Sequence, residues 1–567
     1  MYDELIKKLN PKPVFNLTWY KNEDLYSEGE IEDKIIDMIA GNETENYSKV
    51  IAEEFGWSTY YHLTHTRKNI VNWYPFKKDS SVLEIGCGMG AITNLLCEKC
   101  NDVTAVELSR KRATAALLRC KDKENLEIIV GNLNDIEFGK KFDYITLIGV
   151  LEYQGKYTNT DNPYMDFIKE IKKLLKPDGR LLIAIENKYG LKYWCGARED
   201  HTGIPFAGIN QYSFTDNGVR TFSKAELDRL IKESGFKNTY FYYPMPDYKL
   251  PRVIYSENWL PDSESSQNLR PYYAPDRSTL VADEMSIYKD VIDNNVFEFF
   301  ANSFLVECSD SEDVGKVSFA VISNERLEKY RVGTRCIGKD KVEKFALNPT
   351  LGQEHLMQIK KNTDALKKAG LNVLEHVYEN EKIITDYSKD MLLEEKLHEL
   401  YCKKDIDGIY KMCDKLYNQI LCSSEHLTSD DNILYELNIA SNMHDDKYGP
   451  IMKIGYLDMI FRNAFVKDDD WYWFDQEWIL GGVPANYILC RAVRLMYMSF
   501  PDMEMVLPAD KILRRYGLIP EILKEYNSLE KMFIELVMDM YHLTESNYFA
   551  YGDRKTYMDN INKILTN

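Results

Sequence analysis

Short apolar runs alternate with amphipathic ones through the first half of the chain. Val82-Leu83-Glu84-Ile85 ends in Gly86-Cys87-Gly88-Met89-Gly90, and Ala91-Ile92-Thr93-Asn94-Leu95-Leu96 follows. This order predicts strand, tight glycine-spaced loop, then helix. A second apolar run, Val103-Thr104-Ala105-Val106, closes on Glu107. Glu127 to Val130 reads as a strand before the polar turn Gly131-Asn132-Leu133-Asn134-Asp135, and Phe142 to Leu151 as another strand. Tyr164 to Leu175 has helical spacing and stops at Lys176-Pro177-Asp178-Gly179; Arg180 to Glu186 then reads as a buried strand. Such alternation predicts an α/β domain with a mostly parallel sheet covered by helices. Its ligand belongs at the carboxyl ends of the strands.

On either side of this segment the pattern changes. Residues 1–75 read as a helical cap, in which Tyr60 to Arg67 begins a helix leading to Trp73. Glu186 to His201 mixes polar, aromatic and glycine residues, and a loop this long at the ligand edge points to function. Tyr189, Tyr193 and Trp194 offer flat faces to sugar rings, or pack as a lid on their own domain, and Arg198 can pair with a phosphate or carboxylate. A second dense stretch, Phe241 to Pro251, is expected to cover the same edge. Pro261 to Gln267 is a polar connector within residues 256–295. Phe299 to Glu307 and Val317 to Ile322 then look like strands. Lys341 to Leu347 alternates, with Lys344 on the face of Val342 and Ala346, and a helix from about Leu351 carries Glu354. The expected organisation is 76–255 as the cofactor domain, 296–400 as the first lobe of a second domain and 401–567 as its helical lobe.

Composition narrows the field. A chain of 567 residues exceeds one ordinary core, and 44% hydrophobic residues suit a globular protein. A net charge of -19 argues against nucleic acid as the main partner. No apolar run approaches the roughly 20 residues that span a bilayer. No secretory segment is visible after Met1-Tyr2-Asp3-Glu4, so the chain reads as cytoplasmic, with a peripheral place at the inner membrane face open to it. Eleven Cys without disulfide rhythm agree with a reducing compartment, and the Cys97/Cys100 pair reads as packing rather than zinc binding.

The glycine turn and the acid that ends the next strand together resemble the class I S-adenosylmethionine (SAM)-dependent methyltransferases, over residues 75 to 250. The resemblance implies a Rossmann-like fold, with Glu84, Gly86, Gly88 and Gly90 around the methionine part of SAM. It also implies Glu107 on the ribose and Asn132 near the adenine; many members carry Asp where Asn132 stands. Arg67 is expected near the SAM carboxylate. A sugar hydroxyl acceptor must lose its proton, and Glu152, Glu186, Asp200 and His201 are candidate bases at the correct edge. His201 and Glu152 are the leading pair, His201 because an ordinary imidazole titrates at about 6.5.

Further on, Asp458-Met459-Ile460-Phe461-Arg462-Asn463 has D-x4-N spacing, and a hairpin through Ala464 and Trp473 ends at Asp475. Order and separation resemble the protein-kinase-like and aminoglycoside-phosphotransferase-like families, implying an α+β two-lobed domain. That resemblance implies Asp458 as base, Asn463 and Asp475 as Mg²⁺ ligands, and Lys344 with Glu354 on the phosphates of ATP. There are departures: Asn324-Glu325-Arg326-Leu327 stands where phosphate-covering glycines belong, Tyr456-Leu457 replaces His-Arg, and Gln476-Glu477 replaces Phe-Gly.

The two halves in this order resemble bifunctional enzymes that terminate bacterial O-antigen chains, without their C-terminal coiled coil. The expectation is therefore a methyltransferase acting on a bacterial surface glycan or its lipid-linked precursor, by O- or phosphate-methylation. Its kinase-like domain would phosphorylate the same acceptor, and glycosyltransferases of the pathway would be partners. The alternatives are a small-molecule methyltransferase with an inactive scaffold domain, and a non-enzymatic glycan-assembly factor.

Overall fold

The computed structural model describes all residues except 1, 25–26, 43, 55, 216–217, 263–268, 273–274, 441–445, 544–553 and 567. Most of the expected connector, Ser263 to Gln267, thus lies outside the described residues. The chain divides into two compact units, Met1–Asn324 with Met540–Asn567, and Glu325–Asp539.

In the first unit the strands are β1 (Val14–Asn16), β2 (Ser81–Ile85), β3 (Asp102–Glu107), β4 (Leu126–Val130), β5 (Phe142–Ile148), β6 (Leu175–Glu186), β7 (Asn238–Met245), β8 (Val253–Ser256), β9 (Ser303–Ser309) and β10 (Val317–Ile322). They lie in the order β1-β4-β3-β2-β5-β6-β9-β7-β8-β10. From β1 to β6 all pairs are parallel; β9 then runs antiparallel to β6 and β7, and β8 antiparallel to β7 and β10. Register is tight where the glycine loop springs from the sheet, with Ile85 opposite both Val106 and Leu147. Helices Thr93–Lys99, Arg110–Arg119 and Pro163–Leu174 form the crossovers. A core of Leu83, Ile145, Leu181, Ile183, Phe241 and Phe304 fixes the sheet, each side chain removed from water.

Four expectations change here. β9 and β10 complete the first unit's sheet instead of opening the second domain. Every residue of β9 is buried, as a strand inserted between two others must be. The boundary therefore falls after Asn324 rather than near 255. Within the described part of 256–295, helix Glu284–Asp293 packs Tyr288, Val291 and Ile292 into the same core. The last helix, Arg554–Thr566, returns to the first unit, where Asn560 Nδ2 donates to the carbonyls of Arg277 and Leu280 at 2.8 Å each. At the other end, the cap of residues 1–75 also supplies β1, which extends the sheet beside β4.

Lys176-Pro177-Asp178-Gly179 does not separate helix from strand. Leu175 pairs with Phe142 and Arg180 with Tyr144, so these four residues loop out of the ladder within β6. Pro177 has no N–H to give the ladder, and the bulge absorbs that loss.

The second unit begins with the antiparallel sheet β11 (Val332–Ile337), β12 (Lys341–Ala346), β13 (His376–Glu379) and β14 (Lys382–Asp386), ordered β11-β12-β14-β13. Helix Gln353–Lys368 packs Leu356 and Ile359 on it. The rest is mainly helical around a large core, with two small sheets. One holds β15 (Met391–Leu392), β18 (Ala464–Lys467) and β19 (Asp470–Trp473); the other holds β16 (His426–Leu427), β17 (Ile451–Tyr456) and β20 (Ile479–Pro484). Among the described residues, no helix is long and apolar enough to cross a membrane.

Candidate functional site

At the carboxyl ends of β2, β3, β4 and β5 lies a cavity lined by Glu84, Gly86, Gly88, Glu107 and Asn132, and walled from the cap by Glu28, Tyr61 and Arg67. Gly88 has φ +54°, a conformation open to glycine at low cost, and a side chain there would point into open space. Its N–H donates to Glu107 Oε2 at 2.8 Å, and Ser109 N–H donates to Oε1 at 3.0 Å. Burial raises the Glu107 pKa, against the pull of Arg112 and these amides. The carboxylate at the tip of β3 is thus held in one pose, facing the loop. Burial also pushes Glu84 up to about 7, although Thr93 Oγ1 donates to it at 2.6 Å.

Gly90 does not line this cavity. A Cβ there would meet Ala116 Cα at 2.8 Å, so its role is the close approach of the loop to helix Arg110–Arg119. Arg67 lines the cavity; its Nη1 donates to the Lys249 carbonyl at 2.9 Å and its guanidinium lies 4.3 Å from the Tyr61 ring centre. No sequence signal marked Glu28. Burial favours its neutral form, yet His62 and Arg112 hold its carboxyl down at about 2. The Arg112–Glu28 contact is 2.6 Å and the His62–Glu28 contact 3.4 Å.

A second cavity shares Glu28, Tyr61, Gly149 and Tyr153 with the first, so the two lie side by side. Its own walls include Trp57, Glu152, Asp200, His201, Tyr248, Lys249 and Tyr272. Beneath it is a dense ionic cluster. Lys249 Nζ bonds Glu186 and, at 2.5 Å, Asp200 Oδ1. Lys192 Nζ contacts Asp200 at 2.8 Å and Asp247 at 3.3 Å. His201 Nε2 lies 3.2 Å from Glu186 Oε2, and its Nδ1 is 3.1 Å from the Tyr153 hydroxyl. Burial lowers the His201 pKa, but Glu186 and Glu152 hold it up at about 9. Burial and the Glu186 charge push Glu152 to about 8.

Residues 83–183 match the family model described as a methyltransferase domain. A malonyl-[acyl-carrier protein] O-methyltransferase of Priestia megaterium is 28% identical over 124 residues, 22% of this chain and 42% of that protein. A ubiquinone biosynthesis O-methyltransferase of Pelagibacter ubique is 28% identical over 133 residues, 22% of this chain and 52% of that protein. This chain spans about half the length of these curated relatives. Among solved structures, the N-methyltransferase NodS of Bradyrhizobium japonicum with S-adenosyl-L-homocysteine aligns at 22% identity and a TM-score of 0.20, over 23% of this chain and 64% of that one. The first unit carries a class I methyltransferase domain.

Of the residues expected around SAM, that domain brings Glu84, Gly86, Gly88, Glu107 and Asn132 to one cavity and leaves Gly90 out. The candidate bases Glu152, Asp200 and His201 line the second cavity, with Glu186 buried against His201. His201 is not a free imidazole of ordinary basicity, because both ring nitrogens are hydrogen-bonded. The expected aromatic faces are elsewhere. Tyr189 stacks on Phe299, Tyr193 is buried with its hydroxyl on Asp200, and Trp194 packs on Phe300. Trp57, Tyr61, Tyr248 and Tyr272 take their place. Of the stretch from Phe241 to Pro251, Phe241–Met245 is part of β7, while Tyr248 and Lys249 reach the cavity. Cys97 and Cys100 are buried and unbridged.

In the second unit, Lys344 on β12 does not pair with Glu354, which is exposed. Helix Gln353–Lys368 turns His355, Leu356 and Ile359 inward instead. Lys344 Nζ bonds Asp475 and, at 2.5 Å, Glu477 Oε1, and Arg326 also pairs with Glu477. Asp475 has φ +55°, unusual for a residue with a side chain, and both Lys344 and Asp475 line a cavity beside β12 and β14. Asp458 and Asn463 are not among its lining residues. Asp458 Oδ2 accepts the N–H groups of Glu477 and Trp478 at 2.9 Å each, and burial beside Glu477 pushes its pKa to about 7. Asn463 Nδ2 donates to the Asp458 carbonyl at 3.2 Å. These two residues hold the loop that presents Asp475.

Proposed function

We propose that the chain transfers the methyl group of SAM to a hydroxyl oxygen of a sugar. What supports this is that Tyr61, Gly149 and Tyr153 line both cavities, which sets an acceptor site next to the glycine cavity. The acceptor oxygen attacks the methyl carbon in line with the C–S bond. The bonding pair stays on sulfur, giving S-adenosylhomocysteine, and the hydroxyl proton is lost on the acceptor side. The protein's part is alignment and exclusion of water. Aromatic faces interleaved with Asp200 and Lys249 suit sugar rings and their hydroxyls. Labelled SAM incubated with lipid-linked glycan extracts, followed by mass spectrometry, is expected to show one added methyl on a sugar oxygen. A folded protein that binds no SAM in calorimetry overturns the reading.

A second activity is favoured by one observation, the pairing of Lys344 with Asp475 at the cavity of the second unit. A strand lysine beside an acid suits a nucleotide phosphate with its Mg²⁺, the reading that makes this unit kinase-like. Metal-dependent ATP binding lost in Asp475→Ala supports it; equal affinity in both proteins counts against it.

A further inference from the structure

Glu152 stands out among the buried acids. It is 1% exposed, and neither carboxylate oxygen has a hydrogen-bond partner. Its ion-pair neighbour is His201 Nε2, 3.9 Å away. The lysines nearby are engaged, since Glu186, Asp200 and Asp247 share Lys192 and Lys249. A buried carboxyl without a partner is costly, and such groups call for a ligand or an explanation.

One ligand atom each from Glu152, Glu186 and His201 lie within 4.8 Å of one another. Around a cation held at about 2.1 Å, neighbouring ligand atoms stand roughly 3 to 3.5 Å apart. Of the His201 Nε2 distances, 3.2 Å to Glu186 falls within that spacing and 3.9 Å to Glu152 exceeds it slightly, so a small movement of Glu152 closes the site. Lys249 occupies Glu186 Oε1 and leaves Oε2 directed at the imidazole. The other imidazole nitrogen, Nδ1, is hydrogen-bonded to Tyr153, which orients the ring as outer partners of metal-binding histidines do.

We propose that Glu152, Glu186 and His201 hold one divalent cation of the Mg²⁺ or Mn²⁺ class at the floor of the second cavity. This rests on the reading of that cavity as the acceptor side. Glu152 and His201 face the cavity, so the remaining coordination positions point to the acceptor and take one or two of its oxygens. Two vicinal hydroxyls of a sugar ring fit that demand. A hydroxyl on the cation becomes acidic enough to lose its proton to water in the cavity mouth. The oxygen is then fixed beside Tyr153, which lines both cavities.

The test is Mn²⁺ binding to the chelator-treated full chain, followed by loss of the free-ion electron paramagnetic resonance signal, with no acceptor present. Calorimetry with SAM on the same samples reports the fold of the donor cavity. One bound Mn²⁺ is expected, weakened about tenfold or more by Glu152→Gln and by His201→Asn while SAM affinity stays unchanged. Asp475→Ala, in the other unit, is expected to leave this ion in place. Protein that binds SAM but no Mn²⁺ overturns the cation and leaves methyl transfer standing. Binding lost in Asp475→Ala and kept in Glu152→Gln overturns it as well. Failure to bind SAM at all strikes the methyltransferase reading instead.

Discussion

The Gly88 N–H points at Glu107 Oε2 across 2.8 Å, so the glycine loop and the acid of the neighbouring strand are already joined before any donor arrives. The same carboxylate takes the Ser109 amide. With both amides fixed, the carboxylate is held ready for the ribose hydroxyls that the proposed donor would bring. Glu107→Ala removes a charged acceptor worth about 1.5–3 kcal/mol. SAM affinity in calorimetry is expected to fall by about one to two orders of magnitude, with Glu107→Gln in between.

Two glycines of the loop are expected to fail differently. Gly90→Ala meets both a φ of +79° and the backbone of Ala116, so it strains the fold itself. A loss of about 2 kcal/mol in denaturant unfolding of the first unit is expected. Gly88→Ala has the unfavourable φ alone, and its methyl enters the donor cavity. Its stability loss is expected to be about half as large, with the greater effect on SAM affinity.

Glu84 sets a pH dependence. Its folded pKa near 7 lies above the ordinary value of 4.5, so the folded chain binds this proton more tightly than the unfolded one. Stability of the ligand-free protein should therefore fall as pH rises from about 4.5 to 7 and level off above. A positively charged donor favours the ionised carboxylate. SAM affinity is accordingly expected to weaken as pH drops below 7. Glu84→Gln should flatten both profiles and raise ligand-free stability at pH 8, by at most about 3 kcal/mol. Thermal unfolding and calorimetry across pH 5 to 8 check the two signs.

The lining of the glycine cavity was legible in the sequence because its residues are local. Glu84, Gly86 and Gly88 belong to one strand-loop segment, and Glu107 ends the next strand. Glu28, Trp57 and Tyr272 gave no comparable signal: they reach the cavities from the cap and from a late loop, through tertiary packing that no spacing encodes. The division of the chain was misread for a related reason. β9 carries an apolar run like any buried strand, and nothing local says that it inserts between β6 and β7, more than fifty residues back. Its partners are set by the sheet edge left open there.

Lys344 illustrates the opposite case, a residue that sits on the expected strand but pairs with other acids than expected. Strand alternation located it, but the helix that follows rotates Glu354 to solvent, and the acids come from Asp475 and Glu477 instead. Glu354→Ala should thus change stability by less than about 0.5 kcal/mol. Lys344→Met leaves two acids facing each other, with Arg326 on only one of them. Breaking such a half-buried network should cost about 2–4 kcal/mol in unfolding of the second unit. Because Lys344 helps hold the Glu477 carboxyl below its usual range, the stabilisation it gives is lost as pH falls, and that deficit should shrink toward pH 4. A deficit equal at pH 4 and pH 8 would show that Lys344 contributes packing rather than charge.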